Sequence, residues 1–71
     1  MMLTDHGWTV LAQLAKGSVW DGDLVCKSGR DELVREGLAV RNRRNAAGLM
    51  MNELTMRGAE LAARLHDGHR T

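Results

Sequence analysis

The side chains of this chain that could do chemistry are mostly cations, and they are unevenly spread. Lys27, Arg30, Arg35, Arg41, Arg43 and Arg44 lie within one stretch that holds only Asp31, Glu32 and Glu36 as acids. That stretch carries +3 and the rest of the chain −2, while the whole has a net charge of +1. No Asp or Glu falls between Glu36 and Glu53. Arginine bonds bidentately to guanine, and lysine and serine hold phosphate. A local positive field on a nearly neutral chain therefore suits a small phosphate-contacting surface. The competing account is a solvated charged loop next to a helix with its own surface pairing, since Asp31 and Arg35 stand at i,i+4 and Glu32 and Arg35 at i,i+3.

Other reactive types are sparse. Cys26 is the only cysteine, so it forms no internal disulfide and reads as a small buried residue in a reducing, cytoplasmic setting. His66-x-x-His69 has a metal-ligand spacing but no further ligands near it in sequence. Asp21-x-Asp23 reads as turn and cap chemistry. No phosphate-cradling glycine loop and no Ser/His/Asp or Cys/His arrangement is present. Neither a cofactor, a metal nor an enzymatic activity is expected. No apolar run approaches the roughly 20 residues of a membrane span, and no secretory signal opens the chain.

The elements that must position the cations follow from caps and periodicity. Thr4 is an N-cap with Asp5 behind it, and Trp8, Leu11, Ala12, Leu14 and Ala15 form an apolar stripe that Gly17 stops. Ser18-Val19-Trp20 is expected as a short strand or extended link that buries Trp20. Asp21-Gly22-Asp23 is expected to launch a short helix from Leu24 to Cys26 or Lys27, with Leu24 and Val25 pointing inward. Ser28 then caps a second short helix, which Gly37 ends. Its outward face carries Ser28, Asp31 and Arg35, with Lys27, Arg30 and Val34 at the borders; Leu33 and Gly37 face inward. Leu38-Ala39-Val40 begins a hairpin with Leu38 and Val40 alternating inward, residues 41–48 form a positive tip, and Leu49–Leu54 returns. Thr55 caps the last helix, and residues 69–71 are expected to fray. Leu3-Thr4-x-x-Gly7 recurs as Leu54-Thr55-x-x-Gly58, which predicts two helices begun by one device: a threonine cap, then a small residue where the helix crosses its neighbour.

Seventy-one residues make a single domain, 1–71, with a thin core. There is no Phe and no Tyr, so the core is expected from Trp8, Leu11, Leu14, Leu24, Leu33, Leu38, Val40, Leu54, Leu61 and Leu65. Met50, Met51 and Met56 are expected either to fill gaps or to form an adaptable exposed patch. Eight arginines against two lysines suggest a GC-rich phage or bacterial genome.

The order "DELVREGLAVRNRR", a glycine hairpin and "NELTMRGAELAARL" resembles the winged-helix domains of MarR-like bacterial regulators. The matching positions are Leu33, Gly37, Leu38, Leu54, Thr55 and Gly58, and the likeness covers Leu3 to Leu65. It implies an α+β, mostly helical winged helix-turn-helix of three helices, a small hairpin wing and a C-terminal helix, in a minimal phage-type form. It further implies binding to double-stranded DNA through Lys27, Ser28, Arg30, Asp31 and Arg35 on the recognition helix and Arg41, Arg43 and Arg44 on the wing. This wing lacks the Asp that precedes the minor-groove Arg in such regulators, and the chain lacks their dimer-forming terminal helices. A monomer or weak dimer is expected. The alternative is a winged helix of phage origin used to bind a host or virion protein, which the small net charge and the acids of the recognition helix favour.

Overall fold

The computed structural model describes residues 3–68, and for Arg43 and residues 66–68 the backbone alone. The order is α1 (Asp5–Leu14), β1 (Val19–Trp20), a 3-10 turn (Asp21–Asp23), α2 (Lys27–Arg35), β2 (Ala39–Arg44), β3 (Met50–Leu54) and α3 (Met56–Gly68). The three strands form one antiparallel sheet in the order β1-β3-β2. The fold is thus a small α+β arrangement, mostly helical. No helix among the described residues is long and apolar enough to cross a membrane.

The two Leu-Thr-x-x-Gly segments behave alike. Thr4 accepts a hydrogen bond from the Gly7 amide, and Thr55 accepts one from the Gly58 amide, each relieving a helix-start donor that has no intrahelical partner. In both, the glycine is where the helix crosses its neighbour. A Cβ at Gly7 would strike the Glu32 side chain, and one at Gly58 would strike the Leu38 carbonyl.

The inward stripe of α1 is Gly7, Val10, Leu11 and Leu14, rotated from the expected one. Trp8 is only half-buried, and Ala12 and Ala15 are exposed. The close approach of Gly7 to α2 sets this rotation, and it brings Val10 into the centre.

No helix forms at residues 24–26. Leu24 and Cys26 are extended, and the link is held by the Gln13 side chain. Gln13 Nε2 donates to the Asp23 carbonyl at 2.9 Å, and the Val25 amide donates to Gln13 Oε1 at 3.0 Å. The amide side chain supplies backbone partners that a helix turn would otherwise provide. In this extended link Val25 points to solvent, at 59% exposure. Helix α2 begins two residues earlier than expected, with Cys26 and not Ser28 at its N-cap.

Helix α2 ends as expected. The Leu38 amide donates to the Leu33 carbonyl and the Gly37 amide to the Val34 carbonyl, with Gly37 at φ +75°; this paired closure favours glycine. Leu38 is therefore buried by the helix-end turn and not by the strand pleat. The strand starts at Ala39, which faces the core, and Val40 faces solvent at 41% exposure, the reverse of the expected alternation.

Strand β2 extends to Arg44, so Arg41, Arg43 and Arg44 sit on the strand and not on the tip. The tip is Asn45 to Leu49. There Asn45 Oδ1 accepts from the Ala47 and Leu49 amides, and Gly48 takes φ +82°. An irregularity between Asn42 and Arg44 shifts the register against β3.

The fully buried apolar residues are Leu3, Val10, Leu11, Leu14, Leu33, Leu38 and Ala39, with Trp8, Val19, Leu24, Cys26, Leu54, Leu61 and Ala62 packed partly buried against them. Leu65 and Trp20, both expected inside, are exposed. Trp20 lies over Gly22, where a Cβ would meet the indole.

Candidate nucleic-acid interface

The cations divide by what holds them. Arg30, expected at the border of the exposed face, is buried. Its Nε and Nη2 donate to Asp31 Oδ1 at 2.9 and 2.8 Å, and its Nη1 donates to Asp21 Oδ1 at 2.5 Å. Burial works against its charge, but the two carboxylates prevail and raise its pKa. With its guanidinium committed to two acids, Arg30 is a structural pin.

Asp21 is the hub of this cluster. Besides Arg30 from α2, it accepts from Asn52 Nδ2 of β3 at 3.2 Å and faces Arg41 Nη2 of β2 at 3.6 Å. The hydrogen bond from Asn52 lowers its pKa most, helped by Arg30 and Arg41 against the opposing effect of burial. Asn52 is 0% exposed and also donates to the Val19 carbonyl at 3.3 Å. Its Oδ1 has no partner among the described residues. One carboxylate thereby joins the 3-10 turn, α2 and both strands of the hairpin.

A second carboxylate joins α2 to α1. Glu32 accepts from the Thr4 hydroxyl at 2.7 Å and from the Thr4 amide at 3.1 and 3.3 Å. The Thr4 hydroxyl lowers the Glu32 pKa most, followed by the Thr4 amide. Glu32 is thus engaged with the start of α1, and the expected Glu32–Arg35 pairing along α2 is not the contact that holds it.

The remaining expected residues are exposed. Lys27 and Ser28 occupy the first turn of α2, where Ser28 Oγ lies 3.1 Å from Cys26 Sγ. That hydroxyl, with the Gly29 amide, lowers the Cys26 pKa. Asp31 is exposed on the next turn while holding Arg30, and Arg35 is exposed on the last. Arg41 is half-exposed, its side chain at 46%. Arg44 Nη1 donates to the Gly48 carbonyl at 2.6 Å, which braces the loop. The Arg43 side chain lies outside the described residues, as does His69 of the His66-x-x-His69 spacing. The hairpin is therefore not free of acids in space, because Asp21 reaches Arg41 from outside it.

Asp21 and Asn52, 31 positions apart, form one cluster that local patterning does not reveal. A signal was present in the broken alternation of Met50-Met51-Asn52-Glu53-Leu54. Asn52 occupies a core-facing position, so the strand does not read as apolar on alternate residues.

On the opposite face of the sheet, register places Trp20, Met51 and Asn42 side by side, with Val40 and Glu53 next to them. Glu53 accepts from Asn42 at 2.8 Å and from Ser18 at 3.2 Å. Trp20 and Val40 are exposed there and Met51 is half-buried.

Comparison with protein-family models, with curated proteins and with solved structures finds no match for this chain.

Proposed function

We propose that this chain is a reduced winged helix that binds double-stranded DNA, acting as a phage or bacterial regulator or architectural factor. In this reading the 3-10 turn replaces the first helix of the helix-turn-helix, α2 is the recognition helix and β2–β3 is the wing. The observation that carries the reading is the Asp21 cluster. It fixes α2 and the hairpin in one frame, so Lys27, Ser28 and Arg35 on the helix and Arg41 and Arg44 on the wing approach a duplex together. Fixed cations lose less freedom on binding than mobile ones.

The roles then separate. Lys27 and Ser28 meet phosphate at the positive end of α2, and Arg35 and Asp31 point toward base edges. Arg41 exchanges its 3.6 Å contact with Asp21 for a phosphate, and Arg44 with Arg43 follows the flanking backbone. Arg30 takes no part in contact and positions α2. The test is a fluorescence titration of the full chain with random duplex DNA at two salt concentrations. About three to four phosphate contacts predict log K falling with log salt at a slope near −3; no salt-dependent binding would exclude the reading.

A second reading has its own observation. Trp20 and Val40 are exposed on the outer sheet face beside the half-buried Met51, and an apolar patch with an aromatic and a methionine side chain suits a protein partner. A chain that fails the DNA titration would be read as a winged helix that docks on a protein through that face.

A further inference from the structure

Arg30 holds one oxygen of the Asp31 carboxylate and leaves the other open. Its Nε and Nη2 both donate to Asp31 Oδ1, at 2.9 and 2.8 Å. Asp31 Oδ2 takes no hydrogen bond among the described residues. A carboxylate that only braced an arginine would close on the guanidinium with both oxygens, as a two-pronged fork. Here one oxygen does all of the bracing. The guanidinium is itself buried and tied to Asp21, so Asp31 does not swing as a solvated helix-surface acid does. Its side chain is nevertheless 63% exposed, and the free oxygen is presented to solvent at a fixed place.

That oxygen lies in the middle of the outer face of α2. Lys27 and Arg35 stand at i−4 and i+4, about 40° to either side and roughly 6 Å along the axis. Both are exposed, and neither pairs with Asp31 among the described residues. An acid on a duplex-binding face meets phosphate repulsion, and the two cations offset it. What is left is a charged acceptor without a donor, which is costly once water is excluded. In the major groove only the amino groups of cytosine and adenine donate, while guanine and thymine present acceptors. Adenine carries its N7 acceptor beside the amino group, which repels a carboxylate. Cytosine carries the N4 amino group alone.

We infer that Asp31 is a specificity-determining residue of α2, an acceptor that selects a cytosine through its N4 amino group, with Arg30 as its positioning residue. This rests on the DNA reading and adds to it one base and the atom that reads it. Arg30 touches no base; it fixes where the acceptor stands.

The test is selection of sites by the full chain from a random duplex library, then titration of the selected duplex and its single-pair variants at two salt concentrations. The expected result is one C·G pair at which any replacement weakens binding on the order of tenfold, with the salt slope unchanged because no phosphate contact is lost. Asp31→Asn keeps an oxygen for Arg30 and puts an amino donor in the place of Oδ2. It should abolish the cytosine preference while binding random duplex as well as the wild type or better, since a negative charge has gone. Arg30→Lys keeps the charge without the fork and should erode the preference at that pair alone. A second arm leaves the protein unaltered. N4-methylcytosine at the selected pair keeps the pairing hydrogen and puts a methyl group in place of the groove-facing one. It should cost the wild type the same loss and the Asp31→Asn variant little, and it remains decisive if a variant fails to fold. Salt-dependent binding with no preferred C·G pair, or a cytosine preference that survives Asp31→Asn or N4 methylation, overturns this inference and leaves the DNA reading standing. Equal weakening of every sequence by Arg30→Lys overturns the positioning role. Absence of salt-dependent binding overturns both the inference and the reading beneath it.

Discussion

At the scale of single residues, two acids do most of the positioning, and their ionisation sets how the fold responds to pH. Asp21 and Glu32 both have pKa values held below the ordinary carboxylate range, Asp21 by Asn52 above all and Glu32 by Thr4. A depressed pKa contributes stability that is fully present above the unfolded value, about 4. That stability is lost as pH falls through the lower folded value. The urea midpoint should therefore be flat near neutrality and drop below about pH 4. Glu32→Gln and Asp21→Asn should each lower the midpoint at pH 7 and flatten the acid limb. An acid limb as steep in the double variant as in the wild type would mean that other groups govern it. Asp21→Asn also leaves the buried guanidinium of Arg30 with Asp31 alone. Its expected cost is about 1–3 kcal/mol, below that of a fully buried pair because Asp21 is partly solvated. None of this was legible residue by residue. Asp21 looks like a turn acid in the sequence, and Arg30 looks like any helix-surface arginine, because nothing local records that the chain returns to bring Asn52 and Arg41 beside them.

At the scale of elements, the legible parts were those set by local chemistry. Thr4 and Thr55 as caps, Gly37 as the helix stop, and Gly7 and Gly58 as crossing points each depend on a few neighbouring residues and were readable. The errors arose where a distant side chain decides the local conformation. Residues 24–26 carry apolar types that suit a helix, yet Gln13 holds them out of one; the alternation of Leu38 and Val40 with Ala39 and Arg41 points Val40 inward, yet Leu38 is buried by the helix-end turn and Val40 is exposed. Two measurements follow. Gln13→Ala should speed hydrogen exchange at the Val25 amide and cost about 1–2 kcal/mol, since it removes the partners of two backbone groups. Leu33→Ala, at a fully buried site, should cost about 2–5 kcal/mol in the urea midpoint and, in a core this thin, come close to unfolding the domain. An unchanged Val25 exchange rate would show that the extended link does not depend on Gln13.

At the scale of the whole molecule, one frame presents two kinds of cation, and DNA should tell them apart. Arg41 and Arg44 are exposed, and neither is buried in the core, so their removal should change stability little. If they meet phosphates, Arg41→Ala and Arg44→Ala should each weaken binding to all duplex sequences alike and reduce the magnitude of the salt slope by about one unit. Arg35, exposed on α2, should instead alter preference between sequences if it reaches a base edge, by about 1–3 kcal/mol per lost bidentate contact. The sequence put Arg30 in that same class, but its burial between Asp21 and Asp31 moves it out. Arg30→Met should lower stability and loosen the hairpin from α2, weakening binding at every salt concentration without a lost phosphate contact. The separating quantity is therefore the slope and not the affinity. If Arg30→Met lowers the slope by a full unit while its folded population is unchanged, Arg30 contacts the phosphate backbone directly and the Asp21 cluster opens on binding.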